Sequence, residues 1–285
     1  MSYLKTTITS SLIKKFVMAL TGFVLVAFLF MHMLGNLQTF EGEPNAINAY
    51  ANFLQTLPWE FLWGFRAVMA LCIVLHLLMG YLLVLENKAA RPQKYAVKKY
   101  LAASFAARTM IYTGTVIILF VVLHLMHFTL LNIDPVFKKL EWVATSGMYE
   151  GKTIHDVYAM LVYGFSCDIV SILYIVALAA IAFHLSHAVS SMFQTVGFRN
   201  EKVRYILNKI AVLYAVVIFF GFASNPAAVL LSKYTCVNIF PQSQIVEQIN
   251  AQKNNDKIFV NYKGIECQKS AKAALCITKA AEQGK

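Results

Sequence analysis

Apolar residues fill five long stretches of the chain, and the polar and charged residues are collected between these stretches. Each stretch exceeds the ~20 residues that an α-helix needs to cross ~30 Å of hydrocarbon. They cover residues 16–38, 61–85, 105–132, 157–184 and 206–231. The pattern therefore predicts an all-α protein, an integral membrane bundle of five transmembrane helices.

The composition agrees with this prediction and separates two regions. Of the 285 residues, 59% are hydrophobic and 14% are charged, and the mean hydropathy is +0.60. Such values are typical of a multi-span protein in a lipid bilayer. Residues 1–235 form the predicted membrane domain, and residues 236–285 form a polar C-terminal tail. The tail holds Cys236, Cys267 and Cys276, two of which could pair in an oxidising compartment.

Lysine and arginine are distributed unequally between the two sets of loops. Basic residues precede the first helix and fill the segments between helices two and three and between helices four and five, whereas residues 41–60 contain none. The positive-inside rule therefore predicts a cytoplasmic N-terminus and an extracytoplasmic C-terminus. We expect the membrane to be a bacterial inner membrane. This orientation signal accounts for the net charge of +11, so no nucleic acid partner is predicted.

Histidines occur in four of the five stretches, and an imidazole in hydrocarbon is a functional hypothesis by default. Measured along the predicted helices, His32 and His124 lie on the outer side of the helix midpoints. His76 and His184 lie on the cytoplasmic side, and His184 is considerably further from its midpoint. The four histidines therefore predict an outer pair from helices one and three and an inner pair from helices two and four.

A short internal repeat supports the pairing of His32 on helix one with His124 on helix three. Thr21-Gly22 stands ten residues before His32, and Thr113-Gly114 stands ten residues before His124. Because helices one and three run in the same direction, this spacing indicates that the two histidines lie at similar depth.

Paired imidazoles from facing helices suit iron porphyrin better than zinc. Zinc takes three or four protein ligands, whereas two imidazoles complete an iron whose other four positions a porphyrin fills. Such ligation leaves no open position, which indicates electron transfer. Gly35 and Gly80 are expected to leave room for the macrocycle. Arg66 and Arg108, at helix ends, either reach a haem propionate or extend to the interface without a ligand.

Spacing alone does not decide which histidine of two neighbouring pairs is the ligand, and it leaves one other function open. His127 and His187 each lie three residues beyond a neighbour on the same helical face, so either member of the pairs His124/His127 and His184/His187 could be the ligand. A transporter or channel that uses the histidines as a proton relay is the alternative outside electron transfer.

Four stretches of sequence carry a resemblance to a known family. They are S-x-x-K-K-x-x-M-A-x-T-G at 11–22, H-x-x-G-N-L at 32–37, P-N-A-I-N-x-Y-A at 44–51 and H-L-S-H-A-V-S-S-M-F-Q-T-V-G at 184–197. With these motifs, residues 10–232 resemble the cytochrome b membrane anchor of the succinate:quinone oxidoreductases. The similarity is to the one-chain, five-helix, di-haem class, which includes succinate dehydrogenases and fumarate reductases of the respiratory chain and the tricarboxylic acid cycle.

The resemblance implies two haem b groups and favours the first histidine of each pair. It implies that His32 and His124 ligate the outer iron and that His76 and His184 ligate the inner iron. It further implies a flavoprotein subunit and an iron–sulfur subunit on the cytoplasmic face. The chain would carry electrons between the iron–sulfur subunit and a membrane quinone, menaquinone in this class, while a partner subunit holds the succinate or fumarate site.

The chain departs from the family at Ala182, where members that couple proton movement to electron transfer resemble one another in having a glutamate. A proton path through that carboxylate is therefore not expected here. A di-haem cytochrome b subunit of a hydrogenase or formate dehydrogenase is the alternative within electron transfer.

Overall fold

The computed structural model describes residues 10–41, 44–90, 104–198, 200–235, 237 and 239–262. Eight α-helices lie within these residues: α1 (Ser11–Leu37), α2 (Pro44–Gln55), α3 (Trp59–Ala89), α4 (Phe105–His124), α5 (Val157–Phe165), α6 (Asp168–Thr195), α7 (Glu201–Tyr234) and α8 (Gln242–Ala251). Three short strands accompany them: β1 (Leu140–Val143), β2 (Thr153–His155) and β3 (Ile258–Phe259). The predicted pairing of tail cysteines concerns Cys236, Cys267 and Cys276, which lie outside the described residues.

Five of the described helices are long and apolar enough to cross a membrane, which confirms the predicted all-α, five-span architecture. These candidate spans are Ser11–Glu41, Trp59–Ala89, Phe105–Thr129, Asp168–Thr195 and Lys202–Tyr234. Large apolar side chains point outward from them; Phe61, Ile169 and Phe220 are 71%, 76% and 66% exposed. Surfaces of this kind are unfavourable in water and favourable in hydrocarbon, so the protein belongs in a lipid bilayer.

The fourth apolar stretch contains a break that the sequence analysis missed. We expected one helix over residues 157–184, but α5 ends at Phe165 and α6 begins at Asp168. A carboxylate is costly in hydrocarbon, whereas the partial positive charge of a helix N-terminus favours one in the first turn. Asp168 also accepts hydrogen bonds from Lys233 and Tyr234, so its charge is satisfied at the beginning of α6.

This break changes the position of His184 within its helix. We expected His184 near the end of its span, yet α6 continues to Thr195, and His184 lies only about 4 Å past the helix midpoint. His76 lies about 3 Å past the midpoint of α3 by the same measure. The two histidines therefore occupy nearly equivalent positions along their helices, which corrects the large difference in depth expected from the sequence.

Helix α4 is followed directly by a single π-helical turn, Leu125–Thr129. The amide of Leu130 donates to the carbonyl of Leu125 at 2.7 Å, which is the five-residue hydrogen bond of a π turn. Because a π turn holds more residues than an α-helical turn, the spacing that would place His127 on the same face as His124 does not apply here. Single π turns are frequent at functional sites.

The chain divides into two compact units, each built from segments that are distant in sequence. The first unit comprises Met1–Met33, Leu57–Phe120 and Ala177–Phe220, and the second comprises Leu34–Thr56, Val121–Val176 and Gly221–Lys285. Parts of the membrane-length helices make up the described residues of the first unit. The second unit adds α2, α5, α8 and the three strands.

Polar contacts between helices hold the first unit together. Lys14 of α1 pairs with Glu86 of α3. Tyr214 of α7 donates its hydroxyl to the carbonyl of Val26 on α1 at 2.6 Å. The second bond lies within the apolar part of α1 and α7, where no water competes for it, so it fixes these two helices against each other.

The second unit contains a small sheet and an apolar core of its own. Strand β1 lies in the centre, antiparallel to β2 and parallel to β3. Ile245 and Ile249 of α8 and Ile258 of β3 are fully buried. These residues belong to the predicted polar tail, so the described part of that tail, through Tyr262, is packed into the second unit.

A buried carboxyl group joins three segments of the second unit. Asp156 accepts hydrogen bonds from the amide of Ala159 at 3.0 Å, the side-chain amide of Asn48 at 3.0 Å and the hydroxyl of Tyr262 at 2.7 Å. Asn48 in turn accepts from the amide of Tyr158 at 2.9 Å. Both Asn48 and Asp156 are fully buried, so this one carboxyl group caps α5 and connects it to α2 and to the C-terminal segment.

We expect Asp156→Ala to destabilise this region by about 3 kcal/mol, because the change leaves buried hydrogen-bond donors without an acceptor. Limited trypsin digestion measures the effect through the rate of cleavage after Lys253 and Lys257, which lie in the segment that Tyr262 anchors. Glu150→Ala, which removes an exposed carboxylate of the same unit, is the control and should leave these rates unchanged. Equal rates in Asp156→Ala and the unaltered protein would contradict the role of the network.

The same carboxyl group should make the stability of this region depend on pH. Burial raises the pKa of Asp156, against the lowering effect of its hydrogen bonds. The folded protein therefore binds this proton more tightly than the unfolded chain, so stability is highest below the pKa of unfolded aspartate and falls as the pH rises through the raised pKa. The neighbouring hydroxyls of Tyr158 and Tyr262 have pKa values raised by burial and stay protonated. Asp156→Asn should flatten the dependence when unfolding is followed over roughly pH 4 to 8.

Candidate functional site

Two of the predicted ligand histidines lie near one another in the first unit. His76 extends from α3 and His184 extends from α6, and a different neighbouring helix positions each ring. His76 lies within electrostatic range of His184, as does His187, further along α6. The structure therefore brings together the pair that the sequence predicts as the inner ligands.

The hydrogen bonds of His76 define its neutral form. Its Nδ1 lies 3.0 Å from the carbonyl oxygen of Met18 and 3.3 Å from the hydroxyl oxygen of Thr21, both on α1. A carbonyl group only accepts hydrogen bonds, so Nδ1 carries the proton. The hydroxyl of Thr21 donates to the carbonyl of Val17 at 2.8 Å and thus acts as an acceptor toward the ring. The lone pair of His76 is left on Nε2.

His184 is held in the same way by α4. Its Nδ1 lies 3.0 Å from the hydroxyl oxygen of Thr113. That hydroxyl also lies 3.2 Å from the carbonyl of Thr109 and 3.1 Å from the carbonyl of Met110, so it can donate its proton to its own helix. In that arrangement it accepts from Nδ1 of His184, and the lone pair of this ring is on Nε2.

Two such rings can act as a pair of metal ligands. Within the described part of the chain, the hydrogen bonds of His76 and His184 are all made by Nδ1. Histidines that ligate metals almost always donate their second ring nitrogen in this manner. No group of three or more His, Cys, Asp or Glu side chains among the described residues is arranged to hold a metal ion. Two imidazoles can fill the two remaining positions of an iron whose other four positions a porphyrin fills.

A glycine beside each threonine admits the ring. A Cβ atom on Gly22 would lie 3.2 Å from Cε1 of His76, and a Cβ atom on Gly114 would lie 3.6 Å from Cε1 of His184. The first distance is shorter than an ordinary carbon contact, whereas the second is an ordinary contact. A methyl group on Gly22 would therefore crowd His76, whereas the approach of α4 to His184 is compatible with one added carbon.

Each inner ring is thus held by a Thr-Gly pair of another helix. The sequence analysis noted these pairs only for their spacing from His32 and His124, and it missed their contacts with His76 and His184. The sequence signal for these contacts was the repeated Thr-Gly dipeptide. It occurs on α1 and on α4, the helices that also carry His32 and His124.

The two predicted outer ligands are described in separate units. His32 lies in the first unit, where its ring stacks on Phe28 with centroids 5.3 Å apart and planes 16° apart. His124 lies in the second unit, where its ring centroid is 6.0 Å from those of Phe128 and Tyr174. Both rings are half-buried among aromatic side chains.

His127, the alternative to His124, is part of the aromatic core of the second unit. Its side chain is 4% exposed, and its Nδ1 lies 3.0 Å from the hydroxyl of Tyr174. Its ring packs against Phe128 and Phe137 at centroid distances of 4.1 and 5.2 Å. Burial with a satisfied hydrogen bond is typical of a structural histidine.

The predicted propionate partners lie near the beginnings of two helices. Arg66 of α3 places its guanidinium 5.0 Å from the ring centroid of Trp63, and Arg108 of α4 lies 5.5 Å from that of Phe105. Both arginines are exposed. These contacts are typical of basic side chains that extend along apolar surface at an interface, and the contact with a propionate stays a prediction.

The two glycines expected to make room for a macrocycle have protein neighbours. A Cβ atom on Gly35 would lie 2.6 Å from a ring carbon of Tyr50, so Tyr50 fills that space and the expectation is wrong. A Cβ atom on Gly80 would lie 3.8 Å from the sulfur of Met18. The glycines that touch the ligand rings are Gly22 and Gly114 instead.

Comparisons of the chain with protein-family models, with curated proteins and with solved structures found no match.

The difference between the two glycines gives a test of this geometry. We expect Gly22→Ala to displace the ring of His76 and to cost about 1–3 kcal/mol through overpacking, whereas Gly114→Ala should leave His184 in place. Side-chain ¹⁵N NMR signals of labelled histidine, with the protein in a bilayer, report the hydrogen bond at Nδ1 of each ring. An unchanged His76 signal in Gly22→Ala would show that the approach of α1 is looser than described.

Proposed function

We propose that the chain is the membrane-anchor cytochrome b subunit of a succinate:quinone oxidoreductase. In this proposal His76 and His184 ligate an inner haem b, and His32 and His124 ligate an outer haem b. The subunit exchanges electrons between an iron–sulfur partner and a membrane quinone, with menaquinone as the proposed quinone. A flavoprotein partner holds the succinate or fumarate site.

The arrangement of His76 and His184 carries the proposal. The carbonyl of Met18 fixes the proton of His76 on Nδ1 and leaves the lone pair on Nε2. The hydroxyl of Thr113 is placed to accept from Nδ1 of His184 in the same way, and the two rings come from different helices at nearly equivalent positions. A proton relay would need ring nitrogens that exchange protons with one another or with water, whereas these Nδ1 protons are directed at acceptors on the neighbouring helices. The pattern favours ligation of a metal by two neutral imidazoles.

When bound, haem b would supply reversible one-electron transfer. His76 and His184 would hold its iron, and Thr21 and Thr113 would keep the rings in one tautomer and one orientation. The apolar surfaces of the helices exclude water, which strengthens these hydrogen bonds.

The surroundings of His127 support the choice of His124 as the outer ligand on α4. His127 is engaged with Tyr174 and is buried among phenylalanine rings, so His124 is the better candidate on α4. His32, on α1, is the ligand that we propose from the first helix, in agreement with the motif H-x-x-G-N-L at 32–37.

The partners and the orientation are proposed from the sequence. Four motifs between residues 11 and 197 resemble the di-haem anchors of succinate dehydrogenases and fumarate reductases. The basic segments before the first helix and between the helix pairs favour a cytoplasmic N-terminus in a bacterial inner membrane. This orientation places the soluble partner subunits on the side of these basic segments and the C-terminal residues on the opposite side.

Purified protein should show a reduced-minus-oxidised spectrum of b-type haem, with two haems per chain. We expect each single substitution of His32, His76, His124 or His184 by Ala to remove one haem, because bis-imidazole ligation fails when one axial ligand is lost. Quantitative haem extraction and redox titration measure the loss. Substitutions of His76 and His184 should remove the same haem, recognised by its midpoint potential.

Two matched variants control for damage to the fold. His187→Ala lies three residues from His184 and should retain both haems. His127→Asn keeps a polar atom near the hydroxyl of Tyr174 and should also retain both. Retention of two haems in His124→Ala together with loss of one in His127→Asn would overturn the choice on α4.

Co-purifying subunits test the enzymatic part of the proposal. A flavoprotein with succinate dehydrogenase or fumarate reductase activity is expected in the purified complex. A nickel–iron or molybdenum partner would instead assign the chain to a hydrogenase or formate dehydrogenase. A colourless, metal-free protein would overturn the proposal and favour a histidine proton relay.

A further inference from the structure

We propose that Thr113 and Thr21 are positioning residues that tune the two inner ligands unequally, with Thr113 having the larger effect. Each hydroxyl acts through the histidine that donates to it and does not itself contact iron. The inference rests on the proposed function for its effect on a haem. Its structural part, the control of ring tautomer by threonine, applies to the protein with or without haem.

The environment of His184 makes it dependent on a single acceptor. Within the described residues, its hydrogen bond is the one to Thr113 at 3.0 Å. The hydroxyl of Thr113 is placed to donate its own hydrogen bond to the carbonyls of Thr109 and Met110. Ring, hydroxyl and helix carbonyl thus form a chain of hydrogen bonds in one direction, and each bond polarises the next.

The environment of His76 provides two acceptors. The carbonyl of Met18 lies 3.0 Å from Nδ1, and the hydroxyl of Thr21 lies further away, at 3.3 Å. Loss of the hydroxyl would leave the carbonyl in place, so the ring would keep its proton on Nδ1. The two Thr-Gly pairs are therefore identical in sequence, but the loss of the threonine hydroxyl should affect His184 more than His76.

A hydrogen-bond acceptor at Nδ1 changes how much electron density the Nε2 lone pair gives to the iron. When the N–H group is hydrogen-bonded, the imidazole becomes more basic and stabilises the oxidised iron more than the reduced iron. Removal of the acceptor should therefore raise the midpoint potential of the inner haem. It should also weaken haem binding, typically by about 10- to 100-fold for lost partners of metal-ligating histidines.

The central experiment compares the midpoint potentials of four variants in the full complex or in the purified subunit. Thr113→Val should raise the potential of one haem and leave the other unchanged, and Thr113→Ser should return it to the original value because the hydroxyl is restored. Thr21→Val should give a smaller rise in the same haem. Thr115→Val is the matched control, since its hydroxyl donates to the carbonyl of Ile111 on the exposed side of α4 and should change neither potential.

A second measurement uses haem-free protein and does not depend on the proposed function. Side-chain ¹⁵N NMR of labelled histidine should show the Nδ1–H tautomer for His184, although neutral histidine in water prefers Nε2–H. Thr113→Val should shift His184 toward Nε2–H, whereas Thr21→Val should leave His76 with its proton on Nδ1. This result would hold even if the purified protein bound no haem, so failure of the proposed function and failure of the inference can be told apart.

Two results would overturn the inference. Equal potentials in Thr113→Val and Thr115→Val, with both haems bound, would show that the hydroxyl of Thr113 does not act through His184. A shift in Thr21→Val as large as that in Thr113→Val would show that the carbonyl of Met18 does not substitute for the hydroxyl of Thr21.

Discussion

A polar ring can remain inside hydrocarbon only if its N–H group finds an acceptor, and this requirement determines the structure around His76 and His184. The acceptor cannot be water, and a charged side chain would itself have to be satisfied. The described helices use an arrangement without charge, because a threonine hydroxyl donates to its own helix and accepts from the ring of the next. The helix keeps its backbone hydrogen bonds, and the ring is fixed in one tautomer.

This arrangement also explains why the threonine is followed by glycine. The hydroxyl can reach the ring only if the two helices approach closely, and the residue beside it must then have no side chain in the way. Gly22 meets this condition strictly, since a Cβ atom there would lie 3.2 Å from His76. Gly114 meets it with some room to spare. A dipeptide is therefore sufficient to receive a histidine from a neighbouring membrane helix, and the chain contains it twice.

The sequence predicted the five spans, because hydropathy is a local signal. It did not predict the break at Asp168, since a single carboxylate does not interrupt a hydropathy average although it begins a new helix. It also placed His127 by α-helical spacing, which the π turn after His124 changes. The contacts of Thr21 and Thr113 with the histidine rings were missed because a contact between helices has no signature in the spacing along either helix. The network around the buried Asp156 was missed because its partners Asn48 and Tyr262 lie far away in sequence.

The position of the Thr-Gly pair on α1 has a consequence for the spacing of the proposed sites. Gly22 and His32 are ten residues apart on one continuous helix, which corresponds to a rise of about 15 Å and to faces about 80° apart. The helix therefore supports His76 at one level and presents His32 at another. An α-helix with its hydrogen bonds intact does not stretch, so the distance between these levels is fixed by the count of residues and not by side-chain packing. Insertion of one residue between them would move His32 by about 1.5 Å and rotate it by about 100°, while the contacts of Thr21 with His76 would be kept. The separation of the two levels is thus encoded in α1 itself, independently of the residues that hold each ring.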